Sequence, residues 1–178
     1  MNRIPFEKIQ GLGNDFILID NRESRINFAQ LHVRNLCDRH FGIGADGVIL
    51  AMPRHSDCDF GMKVLNADGS EAQMCGNGIR CLALFIYRIS NETLLPIMYS
   101  IATGNGILTA TVRSESLVEV NMGQPILVPE LIPTTLNLGF STPVVDFAVA
   151  FGGSSYEVTC VSMGNPHAVW LLCYSAPK

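Results

Sequence analysis

Short apolar runs bounded by glycine and charge recur along the chain and set out its elements. Phe16–Ile19 follows Gly11-Leu12-Gly13-Asn14-Asp15 and reads as a buried strand. Val48–Met52, after the glycine-rich stretch Phe41–Gly47, predicts a second strand, and Phe60–Leu65 a third. Ala29, Val33, Leu36 and Cys37 fall at the i, i+4, i+7, i+8 spacing of one helix face, with Asn27 as candidate N-cap. Ile79–Tyr87 is apolar nearly all round, which predicts a helix in the middle of a domain rather than on its surface. Ile97–Ala102 and Ile107–Val112 flank Thr103-Gly104-Asn105-Gly106, and Asn-Gly between two β runs predicts a hairpin. Leu117–Asn121 continues that meander. Prolines at 125, 129, 133 and 143 then mark a crossover, beyond which Val144–Phe151, Tyr156–Val161 and Ala168–Leu172 read as strands. The whole is of the α+β class.

Composition narrows the field. Lys plus Arg is 12 against 16 Asp plus Glu, a net charge of −4 with no basic stripe, which argues against a nucleic-acid partner. A hydrophobic fraction of 48% excludes disorder as the default. The longest apolar runs, Cys81–Tyr87 and Ala168–Tyr174, are far shorter than the roughly 20 residues of a spanning helix, so no membrane role is expected. Arg3, Glu7 and Lys8 interrupt the N-terminus, which has no signal-peptide core. A cytoplasmic location is expected. The cysteines, at 37, 58, 75, 81, 160 and 173, include no CxxC pair, and Cys37 with His40 is too little for a metal site. Most of these thiols read as small core hydrophobes.

Cys75 reads differently. In Asn66–Cys81, polar and glycine residues lead straight into the apolar helix, placing Cys75 at its N-terminus. There the free N–H groups and the helix dipole favour an anion, either a thiolate or a substrate carboxylate held by Gly76, Asn77 and Gly78. Glycines 76 and 78 would let a ligand approach the backbone closely. The same residues equally describe a tight glycine turn that caps a core helix, with Cys75 as filler. No Lys-Ser/Thr follows Gly-Asn-Gly, so this is not a phosphate loop.

Four motifs now combine. Gly11–Phe16, Asp38–Gly47, Asn66–Arg80 and Met163-Gly164-Asn165-Pro166-His167 resemble, in order and approximate spacing, the diaminopimelate epimerase family. The resemblance implies interconversion of LL- and meso-diaminopimelate, in lysine and cell-wall precursor biosynthesis, without pyridoxal phosphate, metal or other cofactor. One cysteine on each face of the substrate serves as base and acid. It maps one of the two onto Cys75, makes Asn14, Asn66, Gly76, Asn77 and Asn165 substrate-binding candidates, and puts His167 beside the site. His167, after Pro166 in an expected loop, also suits a purely structural hydrogen bond.

The resemblance further implies two similar lobes, each a curved mixed sheet wrapped around a central helix. Residues 1–123 would be the first lobe, and 124–178 the crossover and incomplete start of the second. Gly13–Ile19 is echoed by Gly164–Trp170, 151 residues on, which places the second catalytic cysteine near about position 226. Neither Cys160 nor Cys173 has a Cys-Gly-x-Gly context. The chain is therefore expected to need a C-terminal half for a complete site and to be inactive alone, with a homodimer as its expected assembly. Two alternatives stay open. One is another cofactor-independent amino-acid racemase or epimerase, although proline racemase-type enzymes commonly carry His at the position of Asn77. The other is a non-catalytic remnant that binds carboxylates.

Overall fold

A computed structural model describes residues 3–54, 57–136, 139 and 142–171. The chain divides into two compact units, Met1–Met122 and Gly123–Lys178.

The first unit is built from strands β1 (Glu7–Gly11), β2 (Asn14–Asp20), β3 (Gly47–Met52), β4 (Phe60–Asn66), β5 (Glu71–Ala72), β6 (Ile97–Thr103), β7 (Gly106–Ser114) and β8 (Leu117–Asn121), with helices α1 (Gln30–Cys37) and α2 (Gly76–Ile89). The sheet order is β1-β2-β3-β4-β6-β7-β8, with β5 also on β4. It is mixed: β2 runs parallel to β3 and β4 to β6, and the remaining pairs are antiparallel. Helix α2 touches strands at both ends of this sheet, β1 and β8. Seven flat strands would span about 29 Å at their usual spacing, whereas a helix is only about 10–12 Å across. The sheet must therefore curl around α2, and the α+β architecture with a central helix is the one observed.

The uninterrupted apolar runs have a direct explanation. Phe16, Leu18, Ile49 and Ala51 face α2, where they pack with Ile79, Leu82, Phe85 and Ile86. The alternate residues Ile17, Ile19, Val48 and Leu50 face the other way, onto Val33 and Cys37 of α1. Strands covered on both faces lose the polar alternation of a one-sided sheet.

One expectation in this unit needs correction, and two strands were not anticipated. α1 begins at Gln30 with Ala29, not Asn27, in the N-cap position; Ala29 has no acceptor side chain, and its own N–H donates to His32 Nδ1 at 3.3 Å. β1 was not anticipated: it is a half-buried edge strand whose only large apolar residue is Ile9. The two-residue β5 was likewise not anticipated. The hairpin at Thr103–Gly106 forms as predicted.

In the second unit, β9 (Phe147–Phe151), β10 (Ser154–Ser162) and β11 (Pro166–Val169) form an antiparallel sheet in the order β11-β10-β9. Ile126 bridges to Ser162, a single 3-10 turn spans Pro129–Leu131, and Ile132, Val144 and Cys160 make the small core. β9 starts three residues later than expected, although Val144 is buried and its carbonyl accepts from the Cys160 N–H. β11 starts earlier and takes in His167, which was expected in a loop. Pro166 is tolerated because it is the first residue of an edge strand. Leu172, Cys173 and His55 lie outside the described residues.

Candidate functional site

Two backbone devices bring the first unit's polar residues to one end of its sheet. Between β1 and β2, Leu12 and Gly13 both have positive φ (56° and 85°), as a two-residue type I′ hairpin turn requires. That turn delivers Asn14 at the start of β2. β3 begins at Gly47 opposite Phe16, and Asn66 pairs with Gly47 at the end of β4, so Asn14 and Asn66 share that end.

Cys75 is the N-cap of α2, with extended backbone (φ −145°, ψ 108°) and half-buried. The Gly78 N–H donates to its Sγ at 3.3 Å. The N–H groups of Gly76 and Asn77 belong to the first turn, where no intrahelical acceptor exists. They are the pair that a substrate carboxylate could use. Gly78 serves the packing instead, because a Cβ there would lie 2.8 Å from Ile49 Cδ1 and 3.1 Å from Met62 Cε. Its missing side chain lets the helix start lie against the sheet, which corrects the expectation that it opens the backbone to a ligand. Gly76 is the open one, with Met122 Cε at 3.8 Å as the nearest atom to such a Cβ.

Asn14 Oδ1 lies 3.9 Å from Cys75 Sγ and 3.5 Å from Asn77 Nδ2, so three of the site candidates meet. The Asn14 Nδ2 donates to Asp46 Oδ2 at 2.8 Å. Arg39 donates to both Asp15 (2.7 Å) and Asp46 (2.8 Å), and Lys8 adds an ion pair to Asp15 at 3.2 Å. The hydrogen bonds and charge of Arg39, with Lys8, hold the Asp15 carboxyl well below the usual carboxylate range. On the other side Arg80 donates to Asn77 Oδ1 and, at 3.2 Å, to the Gly76 carbonyl.

The remaining candidates are placed differently. Asn66 makes a local turn, its Nδ2 donating to Ser70 Oγ at 3.0 Å. Asn165 and His167 belong to the second unit and meet each other, Oδ1 to Nε2 at 3.0 Å, where the chain enters the exposed strand β11. Cys81, one and a half turns into α2, is buried, and burial pushes its thiol up to about 11. Burial likewise raises Cys37, which sits in the core under α1.

Asp15, Arg39, Asp46 and Arg80 were assigned no role from sequence. All four lie inside the quoted motifs, but the contacts that join Asp15 to Arg39 and Asp46, and Asn14 to Asp46, cross 24 to 32 residues, a range in which spacing carries no signal.

Comparison with known proteins adds an independent line. The sequence profile of the family described as diaminopimelate epimerase matches residues 6–128. A diaminopimelate epimerase from Acaryochloris marina is 50% identical over 169 residues, which are 94% of this chain and 59% of that protein. The chain thus spans about three fifths of the length of the curated relatives it matches. Among solved structures, a hydroxyproline epimerase from Agrobacterium vitis superposes with a TM-score of 0.64 at 12% identity, covering 92% of this chain and 50% of that one. A predicted epimerase from Pseudomonas aeruginosa gives 0.63 at 16% identity, over 94% and 59%. At those identities the likeness is one of fold.

Proposed function

This chain belongs to the diaminopimelate epimerase family, and from that premise we propose that it carries one half of a two-thiol site that inverts the α-carbon of diaminopimelate. An α-proton beside a carboxylate is weakly acidic, so its removal needs a positioned base and a place for the developing negative charge. The observation that carries this reading is Cys75 capping a buried helix, with Asn14 within reach of its sulfur and Asn77 within reach of Asn14. The Gly76 and Asn77 N–H groups receive the carboxylate, and the helix start stabilises charge as it builds there. Cys75 exchanges a proton with one face of the α-carbon. A second thiol, from a Cys-Gly-x-Gly segment not among these 178 residues, serves the opposite face, so the proton lost and the proton gained come from different sulfurs and the centre inverts. The family resemblance adds Asn66 and Asn165 as substrate contacts and puts His167 beside the site. No cofactor is required, the setting is the cytoplasm, and the assembly is a homodimer. Among the described residues no helix is long and apolar enough to cross a membrane.

The test follows deuterium incorporation and inversion of LL-diaminopimelate in deuterated water. The chain alone is expected to give no inversion. Addition of a polypeptide carrying the second Cys-Gly-x-Gly is expected to restore it, and Cys75→Ser to abolish it again. Equal inversion by the Cys75→Ser and unsubstituted mixtures would remove Cys75 from the reaction.

A further inference from the structure

The polar residues around Cys75 form a chain whose direction is set at both ends by charge. A carboxylate only accepts hydrogen bonds, so the end of the Asn14 amide that meets Asp46 is nitrogen. A guanidinium only donates, so the end of Asn77 that meets Arg80 is oxygen. Both constraints give the same order: Asn77 Nδ2 points to Asn14 Oδ1, and Asn14 Oδ1 points at the Cys75 sulfur. The Asp46 contact, 2.8 Å and charge-assisted, dominates the 3.5 Å amide–amide contact in holding Asn14. Asp46 is itself held by Arg39 and by the Asp15 N–H, at 2.8 and 3.0 Å.

We propose that Asp46 is a positioning residue that acts through Asn14: it keeps an amide oxygen, an acceptor for S–H, turned toward Cys75. This rests on the reading of Cys75 as the proton-transferring thiol. An amide oxygen can accept from S–H but repels a thiolate, whereas the amide nitrogen would do the reverse. In a two-thiol inversion one sulfur must start as the donor and the other as the acceptor. An amide oxygen on Cys75 suits the sulfur that starts as donor, and it works against the Gly78 N–H, 3.3 Å from the same sulfur, which favours the thiolate.

The test is the pH profile of Cys75 alkylation in the 178-residue chain, by brief iodoacetamide pulses with adducts mapped by mass spectrometry. Asp46→Asn is the informative variant. Its one acceptor oxygen goes to the charged Arg39 at the expense of the Asp15 N–H, its NH2 then faces Asn14, and Asn14 turns its own oxygen away from the sulfur. Half-maximal alkylation of Cys75 is expected to move down by about one pH unit. Asp46→Ala, which frees Asn14 without forcing it, is expected to move it in the same direction by less. Should Asp46→Asn lose its far-ultraviolet circular dichroism, the Asp46→Ala profile decides. In an Asn14→Ala background either Asp46 substitution is expected to leave the profile where Asn14→Ala alone puts it. An unmoved profile in the Asn14-containing variants overturns the proposal. So does an equal shift with and without Asn14, which would mean that the charge of Asp46 acts on the thiol directly. Because alkylation needs no substrate, it reports on Asp46 even if the inversion experiment removes Cys75 from the reaction.

Discussion

Substituting Gly78 by alanine tests the placement of the whole helix start. The new Cβ would sit 2.8 Å from Ile49 Cδ1, 3.1 Å from Met62 Cε and 3.3 Å from Cys75 Cβ. Ordinary contact needs about 3.4 Å or more, so something must yield by about 0.6 Å. Met62 has a flexible end and can move. Ile49 is fully buried and β-branched, so it cannot move cheaply. Overpacking of this kind costs roughly 1–3 kcal/mol, against which the better helix propensity of alanine returns at most about 1 kcal/mol. The expected net loss is about 1–2 kcal/mol. Gly76→Ala supplies the control, because the same substitution two residues earlier meets nothing closer than 3.8 Å and should be neutral or mildly stabilising. Urea unfolding followed at 222 nm should therefore separate the two variants by about 2 kcal/mol. With a slope of about 2 kcal/mol per molar that is roughly 1 M in midpoint. Coincident midpoints, or a more stable Gly78→Ala, would mean that α2 does not start against the sheet at Ile49.

Three further outcomes are expected. In a folded sample near pH 8, iodoacetamide should label Cys75 well before Cys81, whose buried thiol is pushed up to about 11; faster adduct formation at Cys81 in mass spectra would contradict its burial. The Asp15 carboxyl is depressed by Arg39 and Lys8, so its contribution to stability is present above the unfolded value of about 4 and is lost as pH falls toward the lower folded value. Asp15→Asn should be less stable than the unsubstituted chain at pH 7, with the gap closing as acid is added; a pH-independent gap in urea midpoints would assign the loss to packing. Among the described residues the buried Tyr99 hydroxyl has no hydrogen-bond partner, so Tyr99→Phe should be neutral or stabilising by up to about 1 kcal/mol in thermal unfolding, and a clear destabilisation would reveal a partner.

What the sequence made legible follows from which physics is local. The runs Phe16–Ile19 and Val48–Met52 stood out because both faces of their strands are covered, and the start of α2 because polarity switches abruptly at Cys75. β1 did not, because Glu7, Lys8 and Gln10 lie on a half-exposed edge and the Gly11–Gly13 turn was its only cue. Gly78 was misread because a glycine beside a site looks the same whether it admits a ligand or a neighbouring strand. Asn14 came from family resemblance, and Asn77 from its place in the first turn of α2 as well. The charges that orient them arrive from beyond the C-terminal end of α1, from the approach to β3 and from the next turn of α2, through contacts that only the folded chain creates.

Covering β2 on both faces also removes the usual safeguard on strand alignment. Where one face is wet, sliding a strand by one residue turns its apolar set into water, and that cost enforces the pairing. Here Phe16 and Leu18 would simply exchange places with Ile17 and Ile19, from one oily compartment to the other. Hydrophobicity alone tolerates that error. What forbids it is polar: the tight Leu12-Gly13 turn counts the residues, and Asp15 meets Arg39 while Asn14 meets Asp46 in only one alignment. The charged cluster at the sheet's end is thus a molecular key for strand pairing, and loosening it would yield misthreaded chains before it yielded unfolded ones.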